Sequence, residues 1–191
     1  MTAITLFNNL STDLIVNVLA QTESIAKSDY MKDSINSLSF FGQIGIVLML
    51  GMAAFGSSIG IGAAGQAAAG AWGKEGKAGK TLRFAYIILL GMPISQTLYA
   101  MIVMNKMSGV LQYPQIAAGS AGLLLGIGIA TGIGEMISAW MQGLIGAAGV
   151  RSLSESDGKG FAFLLIAMGI VETVGIFTMV FLLGMIPAVP A

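Results

Sequence analysis

Apolar residues run along the chain in four long stretches, at about residues 40–72, 82–104, 116–150 and 160–186. Each stretch exceeds the roughly 18–20 residues that a helix needs to cross a bilayer. The first and third stretches are longer than a crossing requires, so we expect their ends to extend into water. The pattern predicts an all-α membrane protein with four transmembrane helices.

The polar segments that join these stretches are short, and those at the two hairpin turns carry cations. Residues 73–83 hold one acid against four cations, and residues 151–159 add two further cations. Positive charge next to a membrane span marks the cytoplasmic side. We therefore expect both turns to face the cytoplasm and both chain ends to lie on the opposite side of the membrane. A cell membrane, the inner membrane of a bacterium, is the expected location.

The first 39 residues have a different pattern and are predicted to be an N-terminal extension. Apolar residues recur every four positions, at Leu6, Leu10, Leu14 and Val18. This spacing predicts a short amphipathic helix. The polar residues 24–39 then predict a linker. Val18-Leu19-Ala20 also suits cleavage of a signal peptide, although no Lys or Arg precedes it, so both alternatives stay open.

The rest of the chain contains an internal repeat. Gly91-Met-Pro-Ile94 matches Gly169-Ile-Val-Glu172, and Gly62-Ala-Ala-Gly65 matches Gly146-Ala-Ala-Gly149. The offsets, 78 and 84, differ by six residues, which places the length difference in the first hairpin turn. The repeat predicts two tandem helical hairpins, at 40–110 and 111–191. At the matched position the second hairpin carries a carboxylate, Glu172, whereas the first hairpin has Ile94.

Composition narrows the classes of function. The chain is 55% hydrophobic and 9% charged, far below the roughly one quarter charged residues of soluble domains. It has no cysteine and no histidine, which excludes disulfides, thiolate or imidazole metal sites and histidine-based catalysis. A net charge of zero gives no indication of nucleic-acid binding, and no P-loop pattern is present. We therefore predict a non-enzymatic membrane component without a cofactor.

Glycine pairs spaced by four residues mark the first and third helices. They are Gly56 and Gly60, Gly122 and Gly126, and Gly128 and Gly132. This spacing puts small residues on one face and lets helix backbones approach closely. An ordinary four-helix bundle would use these faces in part. A ring of many subunits, with the first and third helices inside, would use them fully. The stripes alone leave both arrangements open.

Polar residues in the membrane stretches define a candidate site. Glu172 lies well inside the fourth helix, where an ionised carboxylate costs several kcal/mol unless it is neutralised. The second helix places polar groups at steps of three and four, at Met92, Ser95, Gln96 and Tyr99. Pro93 frees a backbone carbonyl there, and the third helix adds Gln142. These oxygen atoms suit a small hard cation, whereas the alternative is that the two glutamines only bridge helices.

Glu135 is the second acid within a membrane stretch. It precedes Gln142 by seven residues, which places it nearly on the same helix face, about 10 Å away along the axis. Three interpretations are open: a second ion site, a pore-facing residue, or a neutral packing contact. The last two are favoured.

Together these residues resemble the rotor-ring proteolipid of V-type ATPases, called subunit K in bacteria and the c subunit in eukaryotes. The resemblance covers about residues 40–186. It rests on Ile170-Val-Glu172-Thr173, on the segment from Gln142 to Arg151, and on Met92-Pro-Ile-Ser95-Gln96-Thr-Leu-Tyr99, which is similar to the sodium-transporting members. The first 39 residues and Glu135 lie outside the pattern.

The resemblance implies a rotary function. The transported ion is Na⁺ or H⁺, and in sodium-transporting members it is held by an essential Glu, two Gln, a hydroxyl and a backbone carbonyl. By position these are Glu172, Gln96, Gln142, Ser95 and Met92, with Tyr99 hydrogen-bonded to the carboxylate. Ser95 replaces the usual Thr and keeps the hydroxyl. The implied partners are membrane lipid, further copies in a ring, an arginine-bearing stator subunit and central-stalk subunits.

Two other classes of function remain as alternatives. A small secondary cation exchanger working as a dimer would also use one membrane carboxylate. A passive pore or purely structural proteolipid would not depend on Glu172. Oligomer size separates the first alternative from a rotor ring, and chemical modification of Glu172 separates the second.

Overall fold

The computed structural model describes the backbone of residues 3–190 and the side chains of residues 16–190. That part of the chain is helical and contains no strand. Its α-helices are α1 (Ala3–Lys77), α2 (Ala85–Gly91), α3 (Ser95–Leu111), α4 (Pro114–Gly119), α5 (Ala121–Glu155) and α6 (Phe161–Gly184). A short 3₁₀ helix, Met92–Ile94, joins α2 to α3.

Four helical segments of the described chain are long and apolar enough to cross a membrane. They are Val16–Lys77, Ala85–Leu111, Ala121–Glu155 and Phe161–Gly184. Each contains most of one apolar stretch of the sequence. The prediction of an all-α protein with four transmembrane helices is therefore confirmed.

The N-terminal extension is helical throughout its described residues, so the prediction of a linker at 24–39 is wrong. α1 passes through this segment without a break. The reason is that residues 3–41 contain neither glycine nor proline, and polar side chains alone do not stop a helix. Lys32 even pairs with Asp29 one turn away, at 3.8 Å. The side chains of Leu6, Leu10 and Leu14 lie outside the described residues.

α1 and α5 form the closest helix pair. A Cβ atom at Gly143 would overlap the backbone of Gly60, and one at Gly128 would overlap the backbone of Gly45. Such contacts bring two helix axes together and leave no space for any side chain there. Gly56, Gly60, Gly128 and Gly132 all lie at this contact, whereas Gly122 and Gly126 have no neighbour within 4 Å of a built Cβ.

Two apolar clusters lie one above the other along the helices. One contains Met49, Val103, Met107, Leu124 and Ile127, and the other contains Tyr86, Leu89, Val150, Leu153 and Met168. Between them the helices present polar side chains, including the fully buried Gln96 and Gln142. A polar layer is thus enclosed between two apolar ones.

The two hairpin turns meet at the same end of the bundle. Lys80 of the first turn contacts Asp157 of the second at 2.7 Å, and Arg83 Nη2 lies 3.2 Å from the same carboxylate. Arg83 also pairs with Glu75, which accepts a 2.6 Å hydrogen bond from the Tyr86 hydroxyl. The hydrogen bond and the charge of Lys80 hold the pKa of Asp157 below its usual value.

The extra length of the first repeat lies in α1 and not in the turn, where the sequence offsets had placed it. By the offset of the Gly62–Gly146 match, the end of α5 at Glu155 corresponds to Ala71. α1 continues to Lys77, six residues further, which equals the difference between the two offsets. This added segment carries Glu75, and its pairing with Arg83 gives the extended end a partner.

Candidate functional site

Glu172 lies in the polar layer, on the middle of α6, and accepts two hydrogen bonds. The Tyr99 hydroxyl of α3 donates to Glu172 Oε1 at 2.7 Å. Gln142 Nε2 of α5 lies 3.4 Å from Glu172 Oε2 and donates at 3.2 Å to the Met168 carbonyl, one turn before Glu172. Three helices therefore converge on one carboxyl group.

Gln96 connects Gln142 to the junction between α2 and α3. Its Nε2 donates to Gln142 Oε1 at 3.3 Å, and its Oε1 lies 3.2 Å from Ser95 Oγ. Both glutamines are fully buried. Buried amides need partners, and each finds them in the other, so their positions are fixed together.

The Met92 carbonyl belongs to the same network and lies in the short 3₁₀ turn at Pro93, where it also accepts the backbone N–H of Ser95. Proline lacks an N–H group and cannot continue the regular hydrogen-bond pattern, and the helix tightens to 3₁₀ over Met92–Ile94. Ser95 Oγ donates to the Met92 carbonyl at 2.9 Å. The structure thus brings together all six residues that the sequence singled out.

Ser138 is a member of this network that sequence reasoning missed. It is 1% exposed, accepts a hydrogen bond from Gln96 Nε2 at 3.2 Å, and donates to the Val171 carbonyl at 3.1 Å. The sequence contained the signal, since Ser138 lies four residues before Gln142 and therefore on the same helix face. Ser138 ties α3, α5 and α6 together one turn from the carboxylate.

The carboxylate itself is at the edge of the protomer and not at its centre. Glu172 and Tyr99 are half-buried, and the residues that flank Glu172 on the outer face of α6 are apolar and exposed, among them Ile170 and Val174. No ion pair of the described residues involves Glu172. An ion held here could enter and leave sideways without passing through the helix bundle.

The chemistry of the network is that of a hard oxygen site. Glu172 supplies a carboxylate, Gln96 and Gln142 supply amide oxygens, Ser95 a hydroxyl and Met92 a carbonyl. Oxygen ligands of this kind suit small hard cations. One monovalent cation would cancel the single negative charge. For Gln142 Oε1 to face Glu172 its terminal amide must turn, and the Gln96 amide must then turn as well, because Gln96 Nε2 donates to that oxygen. Both are rotations about a broad torsion.

Glu135 lies in the same helix but outside this network. It is 0% exposed, so the pore-facing interpretation is wrong. It is enclosed by the protomer's own helices and has no ion-pair partner among the described residues.

Comparison with known proteins agrees with this architecture. The family model that describes the C subunit of ATP synthase matches residues 44–105 and 125–185, which together make up more than half of the chain. Each matched segment lies within one of the two predicted hairpins, and the site draws residues from both. No curated protein matches the chain.

Proposed function

The chain belongs to the family of the ATP synthase C subunit, and on that premise we propose that it is the rotor-ring subunit of a V-type ATPase and carries Na⁺ across a cell membrane. Members of the family are non-catalytic, ion-translocating ring subunits of ATP synthases and ATPases. The doubled hairpin with one acid supports the V-type assignment. The single observation that carries the ion assignment is the hydrogen-bonded network that joins Glu172 to five other groups.

Sodium is favoured over the proton because of the groups around the carboxylate. A proton needs only Glu172 and one hydrogen-bond partner. Further oxygen atoms, which a metal ion requires and a proton does not, come from two buried glutamines, the Ser95 hydroxyl and the Met92 carbonyl. If the two amides did not bind an ion, their burial would cost free energy of desolvation and would stabilise the fold little.

The position of Glu172 at the protomer edge supports a rotary cycle. With an ion bound the site is neutral, so it can pass lipid at low cost. In a stator channel the carboxylate would be charged and would exchange its ion, and an arginine from the stator would displace it. ATP hydrolysis in other subunits would turn the ring.

One ion-exchanging carboxylate, Glu172, per four helices favours pumping. Moving one charge against 100 mV requires about 2.3 kcal/mol. A ring with fewer acids moves fewer ions per turn, so more of the energy of each ATP is available for each ion. Such a ring can maintain a steeper gradient.

We place the turn end of the bundle on the cytoplasmic side. Cations concentrate at this end, as expected of cytoplasmic segments. They are Lys74, Lys77, Lys80, Arg83, Arg151 and Lys159. The Lys80–Asp157 contact joins the two turns, which supports the same location for both. A central-stalk subunit would bind at this end, where the turns are in water.

The test is carbodiimide labelling of the purified oligomer at several pH values, with and without Na⁺. We expect Glu172 to react and Na⁺ to slow the reaction at fixed pH. A reaction that depends on pH alone would identify a proton-carrying ring. Absence of reaction at Glu172 under all conditions would contradict an ion site at this residue.

The oligomer separates this proposal from a dimeric cation exchanger. Many glycines outside the α1–α5 contact, such as Gly51, Gly62, Gly122 and Gly126, face open space in the protomer. Smooth faces of this kind on both long helices are suited to neighbouring copies on either side. Native mass measurement of the purified protein should give a large ring. A stable dimer would favour exchange.

A further inference from the structure

Glu135 is a buried acid that the ion site does not use. It lies on α5 and is 0% exposed, and neither of its carboxyl oxygens has a hydrogen-bond partner among the described residues. Thr131 lies one turn earlier on the same helix face, is also 0% exposed, and its hydroxyl likewise has no partner. Two buried polar groups one helical turn apart, both without a hydrogen-bond partner, are uncommon in a folded interior and require an explanation.

The carboxyl group points towards α6 at a glycine. A Cβ atom built on Gly175 would lie 2.6 Å from Glu135 Oε2, 3.2 Å from Ser138 Oγ and 3.4 Å from Gln96 Cγ. Any side chain at Gly175 would therefore displace the acid. Gly175 is therefore where the acid, on one side, and the buried Ser138 and Gln96 of the Glu172 network, on the other, approach the same point of α6.

An ionised carboxylate is not tolerated at this place. Burial of an unpaired charge among apolar helices costs several kcal/mol or more. The ion pairs of the described chain all lie elsewhere. No group of three or more acidic, histidine or cysteine side chains surrounds a possible metal position in that part of the chain.

A proton satisfies these groups, whereas a metal ion does not. A metal ion needs a shell of oxygen atoms from several groups, but only Glu135 and Thr131 present unpartnered side-chain oxygens here, because Ser138 and Gln96 belong to the Glu172 network. A proton taken from water forms one O–H bond on the carboxyl and removes its charge. The acid and the Thr131 hydroxyl, one turn apart, can then hydrogen-bond to each other.

We propose that Glu135 and Thr131 form a second cation site in each protomer and that its cation is a proton. The site is separate from Glu172 and stays loaded while Glu172 exchanges its ion. Its role rests on the proposed function in one respect: a ring that turns through lipid must be neutral at every membrane acid. The protonation itself does not depend on which ion Glu172 carries.

Infrared spectroscopy of the purified ring tests this directly through the carbonyl stretch of a protonated carboxylic acid. The measurement is made at neutral pH in the Glu172→Gln background, where Glu135 is the remaining membrane acid. We expect the band to be present and to disappear when Glu135→Gln is added. A spectrum that shows no such band, or keeps it unchanged in the double variant, would overturn the proposal.

A second variant keeps the proposal testable if the double variant does not assemble. Thr131→Val preserves side-chain shape and removes the hydroxyl. We expect the acid band to shift because its hydrogen-bond partner is gone. Ser58→Ala is the matched control, because Ser58 is exposed and donates only to the Ala54 carbonyl of its own helix. A band that stays at the same position in Thr131→Val would exclude Thr131 from the site.

These measurements are independent of transport. The infrared band could persist in a ring that carries protons or in one that shows no sodium protection at Glu172. Conversely, sodium protection could be found in a ring whose Glu135 band is absent. Failure of the second site and failure of the rotor assignment therefore give different results.

Discussion

The two hairpins of this protein share a backbone pattern but differ in their polar side chains. In α3 and α6, which are the second helices of the two hairpins, a side-chain hydroxyl donates a hydrogen bond to the backbone carbonyl three residues earlier. Ser95 Oγ donates to Met92 at 2.9 Å, and Thr173 Oγ1 donates to Ile170 at 2.6 Å. The repeat has therefore kept its local geometry at the level of single hydrogen bonds.

The ligand positions have not been kept in both hairpins. The repeat offsets pair Glu172 with Ile94, Gln142 with Ser58, Tyr99 with Phe177 and Gln96 with Val174. Ile94, Phe177 and Val174 are all more than half exposed and apolar. The repeat-related positions therefore lack both the carboxylate and the glutamine and tyrosine side chains that accompany it. A buried amide or hydroxyl without its ion would only have cost stability there.

The strongest test of this difference removes the acid from the hairpin that has it. We expect Glu172→Gln to reduce ATP-driven ion uptake by vesicles containing the whole complex to the background level, because no group remains that can alternate between charged and neutralised states. Thr173→Val is the control, since the Thr173 hydroxyl contacts only its own helix. Uptake near the wild-type rate in Glu172→Gln would remove this residue from the transport cycle.

The next test replaces an amide ligand by an apolar side chain of similar size. We expect Gln142→Leu to weaken sodium binding about 10–100-fold, the range seen when groups that support a metal site are lost. The readout is the Na⁺ concentration that halves carbodiimide labelling of Glu172, with helix content checked by circular dichroism. Ser58→Ala, at the repeat-related position, should leave that concentration unchanged. An unaltered value in Gln142→Leu would mean that Gln142 is a packing residue.

A smaller effect is expected from a change that copies the other hairpin. Tyr99→Phe gives α3 the residue that α6 has at Phe177 and removes the 2.7 Å hydrogen bond to Glu172. A hydrogen bond to a charged group contributes about 1.5–3 kcal/mol, and half-exposure favours the lower end. Without this donor the carboxylate is held less firmly in its place beside Gln142, so about tenfold more Na⁺ should be needed to halve carbodiimide labelling of Glu172. Tyr113→Phe, whose hydroxyl reaches only the Pro190 carbonyl, is the control. Equal sodium protection in Tyr99→Phe and wild type at neutral pH would contradict this role.

Sequence periodicity predicted the helices of the membrane part because apolar length and small-residue spacing are local properties. It could list Gln96, Gln142 and Glu172, but it could not show that they meet, since convergence depends on how closely α5 approaches α3 and α6. The same limit explains why Ser138 was missed. Polarity misled the prediction at residues 24–39, where the absence of glycine and proline decided for helix.

The smallest expected effect lies at the turns, where the first hairpin supplies cations and the second supplies the acid. Lys80 and Arg83 hold the pKa of Asp157 below its ordinary value, through the Lys80 hydrogen bond first and its charge second. A carboxyl whose folded-state pKa is lowered stabilises the fold above its unfolded-state pKa. That contribution is lost as the pH falls through the lowered pKa.

Asp157→Asn should therefore lower the melting temperature of the purified protein slightly at neutral pH and not at acidic pH, where the wild-type carboxyl is itself protonated. The effect is small because both Lys80 and Asp157 are more than 45% exposed, so water screens their attraction. Glu155→Gln removes a nearby acid that has no ion pair among the described residues, and it should leave the melting temperature unchanged at both pH values. If Asp157→Asn and wild type melt together at neutral pH, the contact between the turns only follows from the packing of the helices. If they differ there and converge in acid, the ion pair helps to hold the two hairpins together.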